Sequence, residues 1–379
     1  MRTVILPIES SRSSGRELLR GIAQYSRLHG PWTFYWEPGG VDEVFARLKN
    51  LNADGIIMRD AYRLDDVLQY GFPVIVVGHY LAKHPELVNI TPDSMAIGKL
   101  AADHLLRCGF RHFGFCGFDD RPWSTERCKF FVQCIEEEGY SVHVYKQPYI
   151  PRKVTWEKEQ KIMVKWLQSL PKPLGLFATN DDRSQQALQA CKIARIQVPE
   201  EIAIIGADND ELICGLSDPP LSSVSINFER AGYEGAAMLD RLMQGSAEDT
   251  GDIIIHATHV VTRQSTDFTC VDDTYVAQAM RYIRQNSKKN ISVDDVVDAV
   301  PLSRRVLEKH FAEKLNRSIL NEIRRVRTNL ISQMLAETNL SISQIAHTLD
   351  FQGDEHISRY FRMEKKLSPL QFRKLFGQK

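Results

Sequence analysis

The sequence predicts two doubly wound parallel α/β lobes followed by an all-α domain that carries a tandem pair of helix-turn-helix units, and three observations predict it. Short β-branched runs alternate with longer amphipathic segments over roughly the first 260 residues, the pattern of a parallel sheet covered by helices on both faces. That alternation restarts near residues 89–91, and its total length exceeds one ordinary core, so it divides into two lobes. From residue 276 onward the strands cease and the charge changes sign. There, 19 Lys+Arg stand against 11 Asp+Glu, while the rest of the chain carries 29 against 37. The overall balance of 48 to 48 therefore conceals a basic end on an acidic body, the asymmetry of a polyanion-binding module joined to something else.

In the first lobe, residues 3–8 read as a strand, 15–28 as a helix with Leu18, Leu19, Ile22 and Tyr25 on one face, and 32–36 as a strand. A helix over 41–51, a strand over 55–58, a helix over 64–69 and a strand over 73–77 continue the series. The second lobe alternates helix 94–108, strand 112–116, helix 125–138, strand 142–145, helix 157–170, strand 175–178, helix 184–194 and strand 202–205, with a helix at 228–243. Ligands in such sheets bind beyond the carboxyl ends of the strands, in the crevice between lobes, which directs attention to residues 9–16, 117–127, 179–183 and 207–211. Residues 265–275 have the polar, acidic character of a linker, giving a sensor at 1–264 and a helical domain at 276–379.

The helical domain repeats one pattern, at 292–315 and again at 341–366, on either side of a helix over 319–337. Each unit opens with Ser ahead of a polar turn, a side chain suited to accept from the free amides of a helix start. In the second helix of each unit Leu307, Phe311 and Leu315, then Ile357 and Phe361, form a buried stripe. The exposed positions at the helix starts are Arg304, Arg305, Glu308 and Lys309 in the first unit and Asp354, Glu355, His356 and Arg359 in the second. A helix built this way can lie in a DNA major groove, where Arg bonds guanine O6 and N7. Arg324, Arg325, Arg327, Arg373 and Lys374 are candidates for phosphate contacts or for a solvated face.

The run from Leu302 to Phe311, together with Ile345, Ala346, Phe351, Ser358 to Phe361 and Ser368 to Arg373, resembles the AraC-type DNA-binding domain. The body, through Val198 to Ile202, Ile204 to Asn209 and Leu221 to Val224, resembles the sugar-sensing domain of LacI-type repressors, a type I periplasmic-binding-protein-like fold. The chain starts directly on the first sensor strand, so DNA reading is expected from the C-terminal pair. Asp350 and Lys366 stand where the AraC-type pattern has glycines. Asp tolerates a left-handed turn moderately and Lys less well, so the first unit is expected to make most of the specific contacts.

The resemblance implies a neutral sugar as effector, with D-xylose indicated by the order of the fusion, and implies ligand contacts from Arg127, Asp208 and one of Asn180, Asp181 and Asp182, of which Asp181 is the choice. A sugar hydroxyl both donates and accepts, which suits carboxylates, amides and guanidiniums plus an aromatic wall. Trp123, an aromatic in a polar loop, is suited to stacking or to packing; Ser14 and Arg16, which close the first strand-to-helix turn, complete the candidates. For Arg127 a salt bridge between lobes, and for Asp208 a helix cap, are the plain alternatives.

No G-x-S-x-G, Walker, G-x-G-x-x-G or H-E-x-x-H motif occurs, and Asp354, Glu355 and His356 lack a further metal ligand, so neither an enzyme nor a metal or other cofactor is expected. Seven cysteines without metal-site spacing read as reduced thiols. The opening apolar run is too short for a signal peptide and no run approaches a membrane span, so a cytoplasmic location is expected. The expected partners are operator or promoter DNA, the sugar, a second copy of the chain, and RNA polymerase, with no membrane. The competing reading is a sugar-binding protein, or a repressor answering to another sugar.

Overall fold

The computed structural model describes residues 1–39, 51–59, 64–78, 84, 87–147, 156–245, 251–267 and 273–376. The helix expected over 41–51 and residues 268–272 of the expected linker fall outside, or almost wholly outside, the described residues.

In chain order the elements begin β1 (Arg2–Leu6), α1 (Ser13–His29), β2 (Trp32–Trp36), β3 (Gly55–Arg59), α2 (Leu64–Leu68), β4 (Val74–Val77), β5 (Val88–Pro92) and α3 (Ser94–Arg107). They continue with β6 (His112–Cys116), α4 (Pro122–Glu137), β7 (Val142–Val144), α5 (Trp156–Ser169), β8 (Leu174–Ala178), α6 (Asp181–Ala194), β9 (Ile202–Asp208), α7 (Glu211–Leu216), β10 (Ser222–Ile226), α8 (Phe228–Met243), β11 (Ile253–Ile255) and β12 (Ala257–Val261). Two compact units result, one from residues 1–96, 120–126 and 226–257, the other from 97–119, 127–225 and 258–379.

The first unit contains a sheet in the order β11-β5-β4-β3-β1-β2, with parallel pairing at every recorded register. Its central strands, such as Val74–Val77, are buried at every position, as strands covered on both faces must be. Helices α1 and α8 approach until backbone meets backbone. A Cβ on Gly21 would lie 1.9 Å from the Glu229 carbonyl, and one on Gly232 would lie 2.0 Å from that of Leu18, so only glycine permits this contact.

The second unit contains the sheet β12-β10-β9-β8-β6-β7, parallel in the β6–β7, β6–β8, β8–β9 and β9–β10 pairs. The strand order reverses at β6, so the crevice beyond the carboxyl ends of β6 and β8 is the switch point of this sheet. The returning strands β10 to β12 and the short helix α7 are not announced by the sequence pattern. Helix α4 begins at Pro122, earlier than the sequence suggests, because proline fits the first helical position, where its missing N–H is not needed.

Ser265 and Thr266, read from the sequence as linker, are buried parts of the second unit in a short 3-10 turn, Gln264–Thr266. Ser265 Oγ donates to the Ile204 carbonyl at 2.6 Å and accepts from the Ser222 amide at 2.9 Å. Polar residues look like a linker only until tertiary hydrogen bonds satisfy them.

The C-terminal part is all-helical: α9 (Thr274–Gln285), α10 (Val293–Asp298), α11 (Arg304–Leu315), α12 (Ile319–Glu337), α13 (Ile342–Thr348), α14 (Asp354–Lys365) and α15 (Pro369–Phe376). Both helix-turn-helix units open on the same device, a reciprocal capping box formed by Ser292 with Asp295 and by Ser341 with Gln344. Helix α12 serves two cores. Ile319 and Ile323 pack with Val296, Leu307 and Phe311, while Ile331 and Leu335 pack with Ile345, Ile357 and Phe361.

Asp350 and Lys366 both adopt the left-handed conformation that their positions demand, with φ of 57° and 59°, as does Asn316 at the corresponding end of α11 with φ 51°. The second unit therefore keeps these two left-handed positions without glycine and bears the backbone cost there, while Gly353 serves its inter-helix turn with φ 154°. Lys366→Gly is expected to raise stability by about 0.5–1 kcal/mol. Urea denaturation would check this; an unchanged or lower midpoint would show that the Lys366 Nζ bond to the Met363 carbonyl, at 3.0 Å, outweighs the strain.

Candidate effector site and nucleic-acid interface

The carboxyl ends of β8 and β9 bring together the charged residues singled out in the second lobe. Arg127, on the second turn of α4 and only 3% exposed, donates from Nη1 to the Thr179 carbonyl at 2.6 Å and places Nη2 3.3 Å from Asp208 Oδ1. Asp208 is not the helix cap. That task falls to Asp210, whose Oδ1 accepts from the Leu212 and Ile213 amides at the start of α7. Asp208 and Asn209 turn the chain in the left-handed region, with φ of 100° and 54°, strain of the kind stored at functional turns.

Asp181, the residue chosen from the sequence among the three, is engaged within the fold. Its side chain is buried, with Oδ1 accepting from Ser223 Oγ at 2.6 Å and Oδ2 from the Asp210 amide at 2.7 Å, so both oxygens hold the 208–210 turn. Burial, with Asp208 beside it, pushes this carboxyl well above the ordinary aspartate range. Gly206 makes the space: a Cβ there would fall 2.4 Å from Asp181 Oδ1. Asn180, next to Asp181, is the more accessible of the two. It is partly exposed and caps α6 through Oδ1, which accepts from the Arg183 amide at 3.0 Å, and among the described residues no partner is recorded for its amide nitrogen. Arg183 is structural, completely buried and paired to Glu159 at 2.6 Å.

In the first unit, Ser14 is buried in the first turn of α1 and accepts from Arg59 Nη1 at 2.9 Å. Arg59, at the carboxyl end of β3, escaped the sequence reading, although its position at a strand end was the available signal. The Arg16 guanidinium donates to the Ser10 and Ser11 carbonyls, both at 2.9 Å, and so braces its own loop. Trp123 lies in the first turn of α4 instead of a loop, and is partly exposed.

On the helical domain, Arg304, Arg305, Glu308 and Lys309 are all exposed on α11, and Asp354, Glu355, His356 and Arg359 are exposed on α14. Arg304 is tethered to Asp294 at 2.9 Å and to Glu308 at 3.0 Å, which orients a donor-rich side chain without burying it. Three of the arginines considered for phosphates serve the fold. Arg325 pairs with buried Glu322. Arg327 is buried, bonds the Lys289 and Leu349 carbonyls and stacks 4.5 Å over Phe351. Arg373 donates to the Leu335 and Leu340 carbonyls.

Among the described residues six cysteines are unpaired, and burial pushes the thiols up, Cys116 to about 11 and Cys191 to about 12, which suppresses their reactivity. No group of described residues could hold a metal ion, and no described helix is long and apolar enough to cross a membrane.

Residues 102–266 match the family model of a periplasmic binding protein-like domain, and residues 296–375 match that of a helix-turn-helix domain. A sensor of this kind joined to an AraC-type reader defines a sugar-responsive transcription regulator that binds DNA. The xylose operon regulatory protein of Haemophilus influenzae is 31% identical over 379 residues, 98% of this chain and 97% of that protein. That of Escherichia coli K12 is 30% identical over 98% of this chain and 96% of its own. A solved structure of the xylose-binding transcription activator xylR matches with a TM-score of 0.61 at 29% identity, covering 99% of this chain and 98% of the other. The chain belongs to the xylose operon regulatory protein family.

Proposed function

We propose that D-xylose is the effector and that the sugar-bound chain activates transcription of sugar-catabolism genes in the cytoplasm. The observation that carries this reading is the Arg127–Asp208 pair beside the switch point of the second sheet, spanning from α4 to the β9 end, with Asn180 alongside in sequence on the β8 end: a fixed donor, a fixed acceptor and an amide, suited to a neutral polyhydroxyl ligand. The names of the relatives supply the identity of the sugar. Ser14, Arg16 and Trp123 remain first-lobe candidates, with Arg59 added. Asp181 acts as the brace of the turn.

The reader contacts bases mainly through Arg304, Arg305, Glu308 and Lys309, with Asp354, Glu355, His356 and Arg359 in the second groove. Two chains pair on adjacent half-sites, and RNA polymerase is the downstream partner. The sensor extends through residue 266 and the linker is confined to the residues before α9.

Titration calorimetry with D-xylose, L-arabinose, D-ribose and D-glucose tests the effector, and D-xylose is expected to bind most tightly. A gel shift on the DNA upstream of the chain's own gene should strengthen with that sugar. It should also weaken with salt, since each neutralised phosphate contributes about 0.9 to the logarithmic slope. A shift indifferent to salt would sink the major-groove reading. Sedimentation that finds only monomers on DNA with sugar present would sink the pairing. Asp181→Asn is expected to keep sugar affinity within about threefold, because an amide can accept from the Asp210 N–H and donate to Ser223. A larger loss would return Asp181 to the ligand.

A further inference from the structure

Besides its bonds to Asp181 and Arg127, the 208–210 turn is tied to the start of β10 by one guanidinium. Arg263 Nη2 donates to Asn209 Oδ1 at 2.8 Å, and Nη1 donates to the Leu221 carbonyl at 2.8 Å, so a single planar group spans the turn after β9 and the residue before β10. The Asn209 amide also donates to Ser223 Oγ at 3.0 Å. The backbone of Arg263 is fixed in turn. Its amide donates to Ser222 Oγ at 2.8 Å, and the same oxygen lies 2.7 Å from Thr266 Oγ1.

Thr266 continues the line toward the helical domain. Its hydroxyl lies 2.8 Å from His104 Nε2 on α3, and its carbonyl lies 3.8 Å from Cys108 Sγ. The adjoining Arg107 carbonyl accepts from Arg317 Nη2 at 2.7 Å. Arg317, just ahead of α12, places Nε 2.7 Å from the Glu322 carboxylate, to which Arg325 is also bound. Beside it Asp267, the residue after Thr266, binds Arg284 of α9 at 2.8 Å. Ser222, Ser265, Thr266 and Glu322 have no solvent exposure at all. The buried middle of this chain, at Ser222, Ser265 and Thr266, holds one arrangement or switches to another, because an intermediate position leaves those groups unpaired without water to replace the partner.

We propose that Arg263 is a positioning residue that couples effector state to the DNA-binding domain, reading the Asp208–Asn209 turn through Asn209 and passing its position through Ser222, Thr266 and His104 to the α3 end that holds Arg317. This rests on Asp208 being part of the effector site. A ligand that bonds Asp208 acts on a turn already strained in the left-handed region, and Arg263 cannot follow that turn without releasing Leu221 or shifting the 3-10 turn that ends in Thr266. The sugar thereby gains a different affinity for two arrangements of the helical domain, which is what coupling between sites requires.

The test uses the full chain and hydrogen exchange, read at residues 208–210, 264–266 and 317–327 with and without D-xylose, or whichever of the four sugars the wild-type chain binds. In the wild type, sugar is expected to change exchange at all three. In Thr266→Val, sugar affinity should stay within about threefold of wild type, the change at 208–210 should persist, and that at 317–327 should vanish. Thr266→Ser returns the hydroxyl and should restore the response. Arg263→Ala should lose the response at both 264–266 and 317–327. Responses at 317–327 that survive in Thr266→Val and Arg263→Ala would overturn the proposal, as would a response that Thr266→Ser fails to restore or a wild type that binds sugar without any change at 317–327. A wild type that binds none of the four sugars would instead overturn the effector reading, and would do so before any variant is made.

Discussion

Replacing Glu322 by Ala is expected to destabilise the protein by about 3–5 kcal/mol, the cost of leaving one side of a buried ion pair without its partner. The carboxylate is fully buried, with Arg325 bound to it and Arg317 Nε at 2.7 Å. Burial by itself would favour the protonated acid, but Arg325, Arg317 and Arg284 outweigh it and hold Glu322 below its ordinary value of 4.5. The pair's contribution is therefore fully present above that ordinary value and is lost as pH falls through the lower, folded-state one. Burial and the cation of Arg325 already lower Arg107, and burial lowers Arg317, so removal of the buried carboxylate leaves Arg317 and Arg325 facing each other without the counter-charge they share. Glu322→Gln keeps an acceptor and should fall between Ala and wild type. It should also lack the part of the acid destabilisation that Glu322 supplies. Urea denaturation of the three proteins at neutral pH and at pH 4 reads both effects. A loss below about 1 kcal/mol for Glu322→Ala would mean that water reaches the pair and screens it.

Glu322 also marks where sequence reasoning stops. Arg325 and Arg327 lie on a helix with a basic look, and nothing in their spacing separates an arginine that meets phosphate from one that meets a buried carboxylate or carbonyls 22 and 38 residues away. The two-lobed α/β body was legible because strands such as Val74–Val77, and Ile202–Asp208 up to its final residue, are apolar, and that depends on composition alone. β10, Ser222–Ile226, was not: Ser222 and Ser223 are buried only because Ser265, Thr266 and Asp181 bond them. The helix-turn-helix units were legible down to their caps, since a capping box is written within four consecutive residues. In the candidate site, the sequence named Arg127 and Asp208 separately and gave no sign that they pair, and the spacing of Asn180, Asp181 and Asp182 could not show which of them turns into the fold. Successive residues at a helix start differ by about 100° in direction, and the direction that leads inward is set by the absent side chain of Gly206, which lies on a different strand.

Arg127→Met should weaken D-xylose binding by about 2–5 kcal/mol, a factor of roughly 30 to 5,000, because it removes one member of a buried, hydrogen-bonded charge pair while keeping most of the side-chain volume. Two consequences combine. The Thr179 carbonyl loses its donor at 2.6 Å, and Asp208 loses the nearby positive charge that orients its carboxylate. A sugar hydroxyl can replace either bond but cannot supply the charge, so the ligand would meet a carboxylate that prefers to turn toward water. Asp208→Asn should cost less than Arg127→Met, since the amide oxygen still accepts from the guanidinium and only the charge is lost. Sugar-free affinity for promoter DNA should be unchanged in Arg127→Met, because Arg127 makes no bond to the exposed residues of α11 and α14 proposed to read DNA. Calorimetry on folded variants, verified by unchanged far-ultraviolet circular dichroism, gives the comparison. Xylose affinity within threefold of wild type for Arg127→Met would reduce the pair to a structural bridge and move the effector site away from the β8 and β9 ends.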